Sequence, residues 1–194
     1  MDLIAEFKRG SPFSDISYSQ AGVEDVIPVY EKMGAKWISI LFSEQWSGSI
    51  SDIALANQIS ETPLLAKGIL KNLEELEELK EAGADAILLI SGYNLEFYEK
   101  AIQLGLVPFV EVHTIQEAQE LQPQFEYVVV NARDLQTGEI DLSTHKRILP
   151  YLEAASYKVA ASGLQRDSVV AGYDAILVGT SLMKEANSVK EGFS

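Results

Sequence analysis

Eight short segments with the apolar and β-branched composition of strands recur along the chain, and stretches of helical periodicity lie between them. The strand-like segments are residues 3–7, 37–42, 63–67, 86–90, 107–112, 127–131, 158–161 and 175–178. The clearest helical patterns cover residues 23–33, 72–80, 95–104, 115–121 and 143–152, and Ser143 is a candidate N-cap for the last of these. Because parallel neighbours in a sheet need a crossover connection, this alternation predicts a parallel sheet covered by helices.

The number of repeating units favours a closed barrel over an open sheet. Eight units in 194 residues leave about 24 residues for each, fewer than in the usual barrel of about 250 residues. The shortage is greatest between Ser162 and Ala175, where barely two helical turns fit. An open doubly wound sheet would place a glycine-rich turn after the first strand, whereas this strand continues into Lys8-Arg9-Gly10. We therefore predict a trimmed (β/α)8 TIM barrel that forms a single domain over residues 1–194.

The composition excludes several classes of function. With 15 basic and 29 acidic residues the formal charge is −14, which argues against a nucleic-acid surface built from clustered Lys and Arg. The chain has no cysteine, so disulfides, thiolate metal ligands and a cysteine nucleophile are excluded. No apolar run reaches the roughly 18 residues of a membrane span, and residues 1–8 lack the features of a signal peptide. We expect a monomeric, cytoplasmic protein without nucleic-acid or membrane partners.

Charged side chains occur at the carboxyl ends of the predicted strands, where a barrel of this type has its active site. Alternate residues of a strand share a face, so Glu6 and Lys8 lie together on strand one, and Glu111 and His113 lie together on strand five. Lys67 ends strand three. Because buried Lys and Glu side chains need partners, we expect the two lysines and two glutamates to pair with one another at the mouth.

Such a cluster supports two interpretations. Lys8, Lys67 and Glu111 can surround one point, where a lysine beside another cation acquires a usable acid pKa and the carboxylate carries out the complementary proton transfer. The alternative is a structural ion-pair cluster that only fills the barrel. Charged residues at several strand ends favour catalysis.

Small residues follow the last two predicted strands. The sequence Ala161-Ser162-Gly163 comes after strand seven, and Val178-Gly179-Thr180-Ser181 comes after strand eight. Small residues let backbone N–H groups approach an anion, and the start of a helix adds a partial positive charge. Since these two loops form the recurrent phosphate site of the barrel fold, we predict a phosphate site here.

Taken in order, the motifs at the strand ends resemble those of the indole-3-glycerol phosphate synthase family. The matching stretches are Ile4-Ala5-Glu6-Phe7-Lys8-Arg9-Gly10-Ser11-Pro12, Pro63-Leu64-Leu65-Ala66-Lys67, Gly83-Ala84-Asp85-Ala86-Ile87-Leu88-Leu89-Ile90, Val110-Glu111-Val112-His113, Asn131-Ala132-Arg133-Asp134-Leu135, Ala161-Ser162-Gly163 and Gly179-Thr180-Ser181-Leu182-Met183. Each motif is modest alone, but the ordered set extends over the whole chain and is highly specific.

The resemblance implies closure of 1-(2-carboxyphenylamino)-1-deoxy-D-ribulose 5-phosphate into indole-3-glycerol phosphate, with loss of CO2 and water and without a cofactor. By this resemblance Lys67 is the general acid for the ketone oxygen, Lys8 engages the substrate carboxylate and assists proton transfer, and Glu111 is the acid/base of the dehydration. The implied substrate-binding residues are Glu6, Asn131, Arg133 and Ser11, since Ser11-Pro12 matches the loop after strand one. Trp46 lies in the loop after strand two, which is about one residue shorter than the family's, and is a candidate aromatic wall for the anthranilate ring. The implied phosphate-binding residues are Ser162, Gly163, Gly179 and Thr180.

The sequence also departs from the family pattern. The family's N-terminal helical extension, which helps cover the mouth, is expected to be absent because the first predicted strand starts at Leu3. Gly68 stands in place of an aspartate, and Ala161 stands in place of a glutamate. These departures leave open a catalytically impaired barrel that only binds a phosphorylated ligand. A third possibility is the neighbouring isomerase of the same pathway. That enzyme would use a cysteine or aspartate acid/base pair at the strand ends, and this chain has no cysteine and no such aspartate on strand one.

The two histidines do not predict a metal site, because they are not at ligand spacing. His113 shares the face of Glu111 and is expected just beyond the barrel mouth. His145 is expected on the surface of a helix.

Overall fold

Eight parallel strands form a closed barrel in the computed structural model, which describes residues 1–11, 22–90 and 95–191. Each strand pairs with the next along the chain, and β8 closes the ring against β1. The strands are β1 (Asp2–Phe7), β2 (Trp37–Leu41), β3 (Leu64–Lys67), β4 (Ala86–Ile90), β5 (Val107–Val112), β6 (Tyr127–Asn131), β7 (Tyr157–Ala161) and β8 (Ala175–Val178). The barrel prediction is confirmed, and every predicted strand lies within one residue of the observed bounds. Pro12 lies outside the described residues.

Seven α-helices surround the barrel in the part of the chain that the structure describes. They are α1 (Val23–Lys32), α2 (Ile50–Ile59), α3 (Glu74–Glu81), α4 (Leu95–Gln103), α5 (Ile115–Gln119), α6 (Ser143–Ile148) and α7 (Thr180–Glu191), with short 3-10 turns at Glu44–Trp46 and Leu149–Tyr151. The sequence patterns did not identify α2, because its polar and apolar residues are not separated. Asp52 is buried, whereas Leu55 and Ile59 are exposed.

The connection from β7 to β8 contains no helix, although two helical turns would fit its length. Residues 162–174 form turns instead. Ser162, Gly163 and Gly172 have φ values of 72°, 71° and 84°, and such left-handed residues interrupt a right-handed helix.

The start of α6 differs from the prediction as well, because Ser143 is the first helical residue and not the N-cap. The Asp141 carboxylate accepts a hydrogen bond from the Ser143 amide at 3.0 Å. The acidic side chain two positions earlier therefore satisfies the helix start.

The interior of the barrel is mainly apolar below its carboxyl end, with Ser39 as a buried polar residue on β2. Alternate strand residues point inward and form a separate core from the one between barrel and helices; the members of this inner core are Ile4, Leu65, Ala86, Leu88, Phe109, Val129, Val159, Ala161, Ala175 and Leu177. At the amino end, Trp37, Phe109, Tyr127 and Tyr157 stack with ring centroids 4.8 to 6.3 Å apart. This aromatic floor closes one end, whereas the charged side chains of Glu6, Lys67 and Glu111 line the cavity at the other end.

Within the described ranges, none of the helices combines the length and the apolar character needed to cross a membrane.

Candidate active site

A cavity of about 370 Å³ opens at the carboxyl ends of the strands. Nine of the residues predicted for the site line it: Glu6, Lys8, Ser11, Trp46, Lys67, Glu111, Asn131, Arg133 and Ser162. The predicted phosphate residues Ser162, Gly163, Gly179 and Thr180 line an adjoining cavity that shares Glu6, Lys8 and Lys67 with the first. The fold therefore brings all of the predicted site residues to one mouth.

Glu6 connects the two lysines of the mouth. Its Oε2 lies 2.8 Å from the Lys67 Nζ, and its Oε1 lies 3.5 Å from the Lys8 Nζ. The Glu6 side chain is only 6% exposed, and burial alone would raise the pKa of its carboxyl. The positive charges of Lys67 and Lys8 outweigh that effect and lower the pKa, so Glu6 is ionised.

Lys67 is held as an ammonium by its neighbours. Burial alone would lower its pKa, but the carboxylates of Glu6 and Glu111 outweigh burial and raise the pKa above its ordinary value. The expectation that a neighbouring cation would lower this pKa was wrong, because the two carboxylates dominate the surroundings of Lys67. The predicted pairing is confirmed for Glu6 with Lys8 and Lys67, whereas Glu111 contacts Asn131 and His113 and, among the described residues, pairs with no lysine. The cationic group has a proton to give and lies beside a carboxylate that stabilises its charge.

Glu111 is the most buried carboxylate of the mouth, with 1% exposure. The Asn131 Nδ2 donates to its Oε1 at 3.2 Å, while its Oε2 has no hydrogen-bond partner among the described residues. Burial would raise the pKa of Glu111, but contact with His113, the charge of Lys67 and the Asn131 hydrogen bond lower it. Glu111 is therefore an ionised, buried carboxylate at the edge of the cavity, held through Oε1 and without a hydrogen bond to Oε2 among the described residues.

A chain of hydrogen bonds connects Glu111 to the loop after β7. The Ser162 hydroxyl donates to the Asn131 Oδ1 at 2.6 Å, and the Asn131 Nδ2 donates to Glu111. The same Oδ1 accepts from the Arg133 amide at 3.0 Å, and the Arg133 guanidinium donates to the Gly138 carbonyl at 2.8 Å. These contacts fix the orientation of the Asn131 amide, and the amide in turn orients Glu111.

The loops after β7 and β8 approach the mouth closely. A Cβ at Gly179 would lie 2.3 Å from the Glu6 Oε1, and a Cβ at Gly163 would lie 2.8 Å from the Ile140 Cγ2. Gly163 also has a positive φ. Immediately after Gly179, the twelve-residue helix α7 begins at Thr180, and the first N–H groups of a helix lack intrahelical acceptors. The geometry suits an anion between the loop after β7 and the start of α7.

Apolar side chains form the opposite wall of the cavity. Besides Trp46, they are Leu41, Ile69, Ile90 and Leu135. The sequence analysis missed these four. Leu41 and Ile90 end their strands on the same inward face as Lys67 and Glu111, so the alternation rule could have found them, whereas Ile69 and Leu135 follow strand ends and carry no such signal.

The two histidines are less peripheral than the sequence predicted. His113 is only 12% exposed, and its Nε2 lies 3.2 Å from the Glu111 Oε1. His145 does not lie on the helix surface: it is 3% exposed, and its Nε2 donates to the Ala161 carbonyl at 3.0 Å. The face of α6 that carries His145 packs against the barrel, which explains the burial. No group of three or more potential metal-ligating side chains occurs within the described ranges.

Comparison with known families agrees with the motifs at the mouth. A family model described as indole-3-glycerol phosphate synthase matches residues 1–191. An indole-3-glycerol phosphate synthase of Sulfurisphaera tokodaii is 35% identical, and the match covers 97% of this chain and 81% of the relative. The synthases of Bacteroides thetaiotaomicron and Aquifex aeolicus are each 32% identical; these matches cover 94% and 97% of this chain, and 74% and 79% of the relatives.

Solved structures share the fold at much lower identity. The structure titled "Native KDPGal structure" has a TM-score of 0.67 at 16% identity, covering 99% of this chain and 97% of the other. A 3-hexulose-6-phosphate synthase has a TM-score of 0.67 at 14% identity, with 98% and 99% covered. At this identity the likeness shows the barrel fold alone.

Proposed function

The chain belongs to the indole-3-glycerol phosphate synthase family, and from this membership we propose how the residues of its mouth divide the reaction among themselves. The activity is ring closure of 1-(2-carboxyphenylamino)-1-deoxy-D-ribulose 5-phosphate to indole-3-glycerol phosphate, with loss of CO2 and water. The chain is thus a carboxy-lyase of tryptophan biosynthesis that acts on a phosphorylated small molecule. The roles of individual residues are our proposal.

Lys67 acts as the general acid of the condensation. The aromatic carbon that bears the carboxylate attacks the ketone carbon, and the ketone oxygen takes a proton from the Lys67 ammonium. The observation that carries this role is the 2.8 Å contact with Glu6, since this pairing keeps Lys67 protonated inside the cavity. Solvent reprotonates Lys67 in a later step.

Lys8 engages the carboxylate of the substrate. It lies on the same strand face as Glu6, 3.5 Å from the Glu6 Oε1, so two cations flank one carboxylate. A carboxylate of the substrate placed beside Lys8 would add a further anion to this group. CO2 then leaves, and the electron pair of the broken bond restores the aromatic ring.

Glu111 serves the dehydration. The hydroxyl that formed from the ketone leaves as water, and the neighbouring methylene carbon loses a proton. Glu111, which lines the cavity, takes up the methylene proton and returns a proton to the leaving hydroxyl, so the step balances without another acid or base. Asn131 holds the Glu111 Oε1 at 3.2 Å.

The two ends of the substrate fit the two sides of the mouth. Backbone amides around Ser162, Gly163, Gly179 and Thr180 suit the phosphate. Trp46 and its apolar neighbours suit the anthranilate ring. Glu6, Ser11 and Arg133 line the space between these sides and orient the sugar.

A fluorescence assay for indole-3-glycerol phosphate tests the proposal with two variants of one residue. We expect Lys67→Ala and Lys67→Arg each to lower kcat by about 100-fold or more. Arginine keeps the positive charge beside Glu6 but stays protonated above pH 12, roughly, so it cannot act as the acid. Substantial turnover in Lys67→Arg would show that charge alone suffices and would overturn the general-acid role.

The wild-type rate in the same assay separates an enzyme from a barrel that only binds a phosphorylated ligand. We expect kcat within the usual range of about 1–1000 per second. No turnover together with binding of the substrate would favour the ligand-binding barrel.

We also propose that the protein is a monomer of the cytoplasm. The site is assembled from strand ends of one chain, so catalysis needs no second copy. Sedimentation at micromolar concentration tests whether the protein is a monomer. A single species of about 42 kDa, twice the 21.3 kDa chain, would contradict this proposal.

A further inference from the structure

His113 stands between two carboxylates at the edge of the mouth. It follows β5 and shares the strand face of Glu111. Its Nε2 lies 3.2 Å from the Glu111 Oε1, and its Nδ1 lies 3.8 Å from the Glu117 Oε2. The approach to Glu111 is at ion-pair distance but not at hydrogen-bond angles, so the contact is chiefly electrostatic.

This arrangement suits a protonated imidazole. A neutral imidazole carries one N–H donor and one lone pair, so one of its nitrogens would direct a lone pair at a carboxylate oxygen. The imidazolium has two N–H groups and opposes both carboxylates with positive charge.

The second carboxylate is fixed by the start of α5. Thr114 and Glu117 form a capping box, in which the Thr114 Oγ1 accepts from the Glu117 amide at 3.2 Å. In return, the Glu117 Oε2 accepts from the amides of Thr114 and His113 at 2.9 and 2.6 Å. Glu117 therefore cannot turn away from His113 without breaking the cap.

Other charged groups also face His113. Burial disfavours the imidazolium, and so does the charge of Lys67 from β3. Asp134, after β6, is an acidic group whose pKa is lowered chiefly by hydrogen bonds from the Thr137 and Gln136 amides and also by the charge of His113. Further charged residues line the cavity beside the ring: Arg133, Glu139, Asp141 and Arg147. Although burial lowers the pKa of His113, contact with Glu111 and the charge of Glu117 outweigh it and raise the pKa.

We propose that His113 is a positioning residue for the dehydration, which as an imidazolium anchors the Glu111 carboxylate through Oε1 and keeps it ionised. The contact fixes the orientation of the carboxylate, whose Oε2 has no hydrogen bond among the described residues. The inference rests on the proposed role of Glu111, whereas the charge state of His113 can be measured independently of activity.

Histidine titration by NMR tests the charge state, because the chain has two histidines. We expect one of the two imidazole signals to report a pKa above the ordinary value of about 6.5. This signal should be absent from the spectrum of His113→Asn. In Glu117→Gln the cap is retained, since glutamine also completes a capping box, and the pKa of His113 should fall by about one unit. Glu120→Gln, at the exposed C-cap of the same helix, is the matched control. An unchanged His113 titration in Glu117→Gln would overturn the proposal.

The pH profile tests the effect on Glu111. In His113→Asn the pKa of Glu111 should rise, so the acid limb of kcat should move up by about one pH unit. We expect kcat near neutrality to fall about tenfold, less than the ~100-fold loss of a direct acid or base, with little change in KM. His113→Lys, which stays cationic, should keep the acid limb in place.

If His113 were only structural, His113→Asn and His113→Lys would both lower the stability of the protein and neither would move the acid limb of kcat. That outcome would refute the positioning role. An inactive wild type would refute the proposed function instead, and the NMR titration would still report on His113.

Discussion

At the level of single residues, Glu6 holds both lysines of the mouth. We expect Glu6→Gln to lower the pKa of Lys67. Burial lowers this pKa, and after the substitution Glu111 is the one carboxylate of the pair that still offsets burial. Because Lys67 must be protonated for its proposed role as general acid, the alkaline limb of kcat should move to lower pH by about one unit or more. Losing one partner of a buried pair should also reduce the free energy of unfolding by about 3–5 kcal/mol.

A pH–rate profile and urea denaturation measure the two effects of Glu6→Gln. Glu61→Gln provides the control, because Glu61 is an exposed glutamate. If the alkaline limb stayed in place in an active Glu6→Gln enzyme, Glu6 would not be what keeps Lys67 protonated.

Gly179 gives a second residue-level prediction. An alanine Cβ there would lie 2.3 Å from the Glu6 Oε1, so either Glu6 or the loop after β8 must shift. We expect Gly179→Ala to raise KM and lower kcat together, and to cost about 1–3 kcal/mol of stability. Steady-state kinetics and chemical denaturation measure these changes.

Gly34→Ala is the matched control for Gly179→Ala. Gly34 has a φ of 83° and no atom within 4 Å of an added Cβ, so alanine there strains the backbone away from the mouth. It should cost about 1 kcal/mol and leave the kinetics unchanged. Equal kinetic losses in both variants would mean that general destabilisation explains them.

At the level of elements, His145 joins α6 to β7. Its Nε2 donates to the Ala161 carbonyl, and the Tyr173 hydroxyl donates to its backbone carbonyl at 2.8 Å. Burial lowers the pKa of His145, against the opposing effect of backbone hydrogen bonds. A histidine with a depressed pKa in the folded state is protonated first in the unfolded chain, so acid favours unfolding.

We therefore expect the free energy of unfolding to decrease as the pH falls through about 6.5, the ordinary pKa of histidine, in part because His145 becomes protonated in the unfolded chain. Urea denaturation between pH 8 and pH 5, roughly the range in which histidine titrates, should show a shallower decline in His145→Gln. His113 acts in the opposite direction, because its raised pKa adds stability at low pH that is lost as the pH rises through the folded value. An identical decline in His145→Gln would exclude His145 as the source.

At the level of the whole molecule, strand alternation carried most of the predictive information. The spacing of Glu6 and Lys8 on one strand face and the position of Lys67 at a strand end were enough to place charged groups at one mouth. The sequence predicted burial and helix boundaries less well where tertiary packing overrides the local pattern of polar and apolar residues. The face of α6 that carries His145 is decided by the barrel beneath it, and Asp52 is buried in a helix whose sequence shows no polar face. The missing helix between β7 and β8 depends on backbone angles at Ser162 and Gly172 that residue types alone do not determine.

The aromatic floor has a consequence for how this protein can change. Trp37, Phe109, Tyr127 and Tyr157 secure the barrel at the end away from Lys67 and Glu111. Substitutions there that improve packing can raise thermal tolerance without touching the proton chemistry, and substitutions among the loops at the opposite rim can alter ligand preference while the floor maintains the scaffold. Engineering for durability and engineering for new substrates can thus proceed on separate ends of one small barrel.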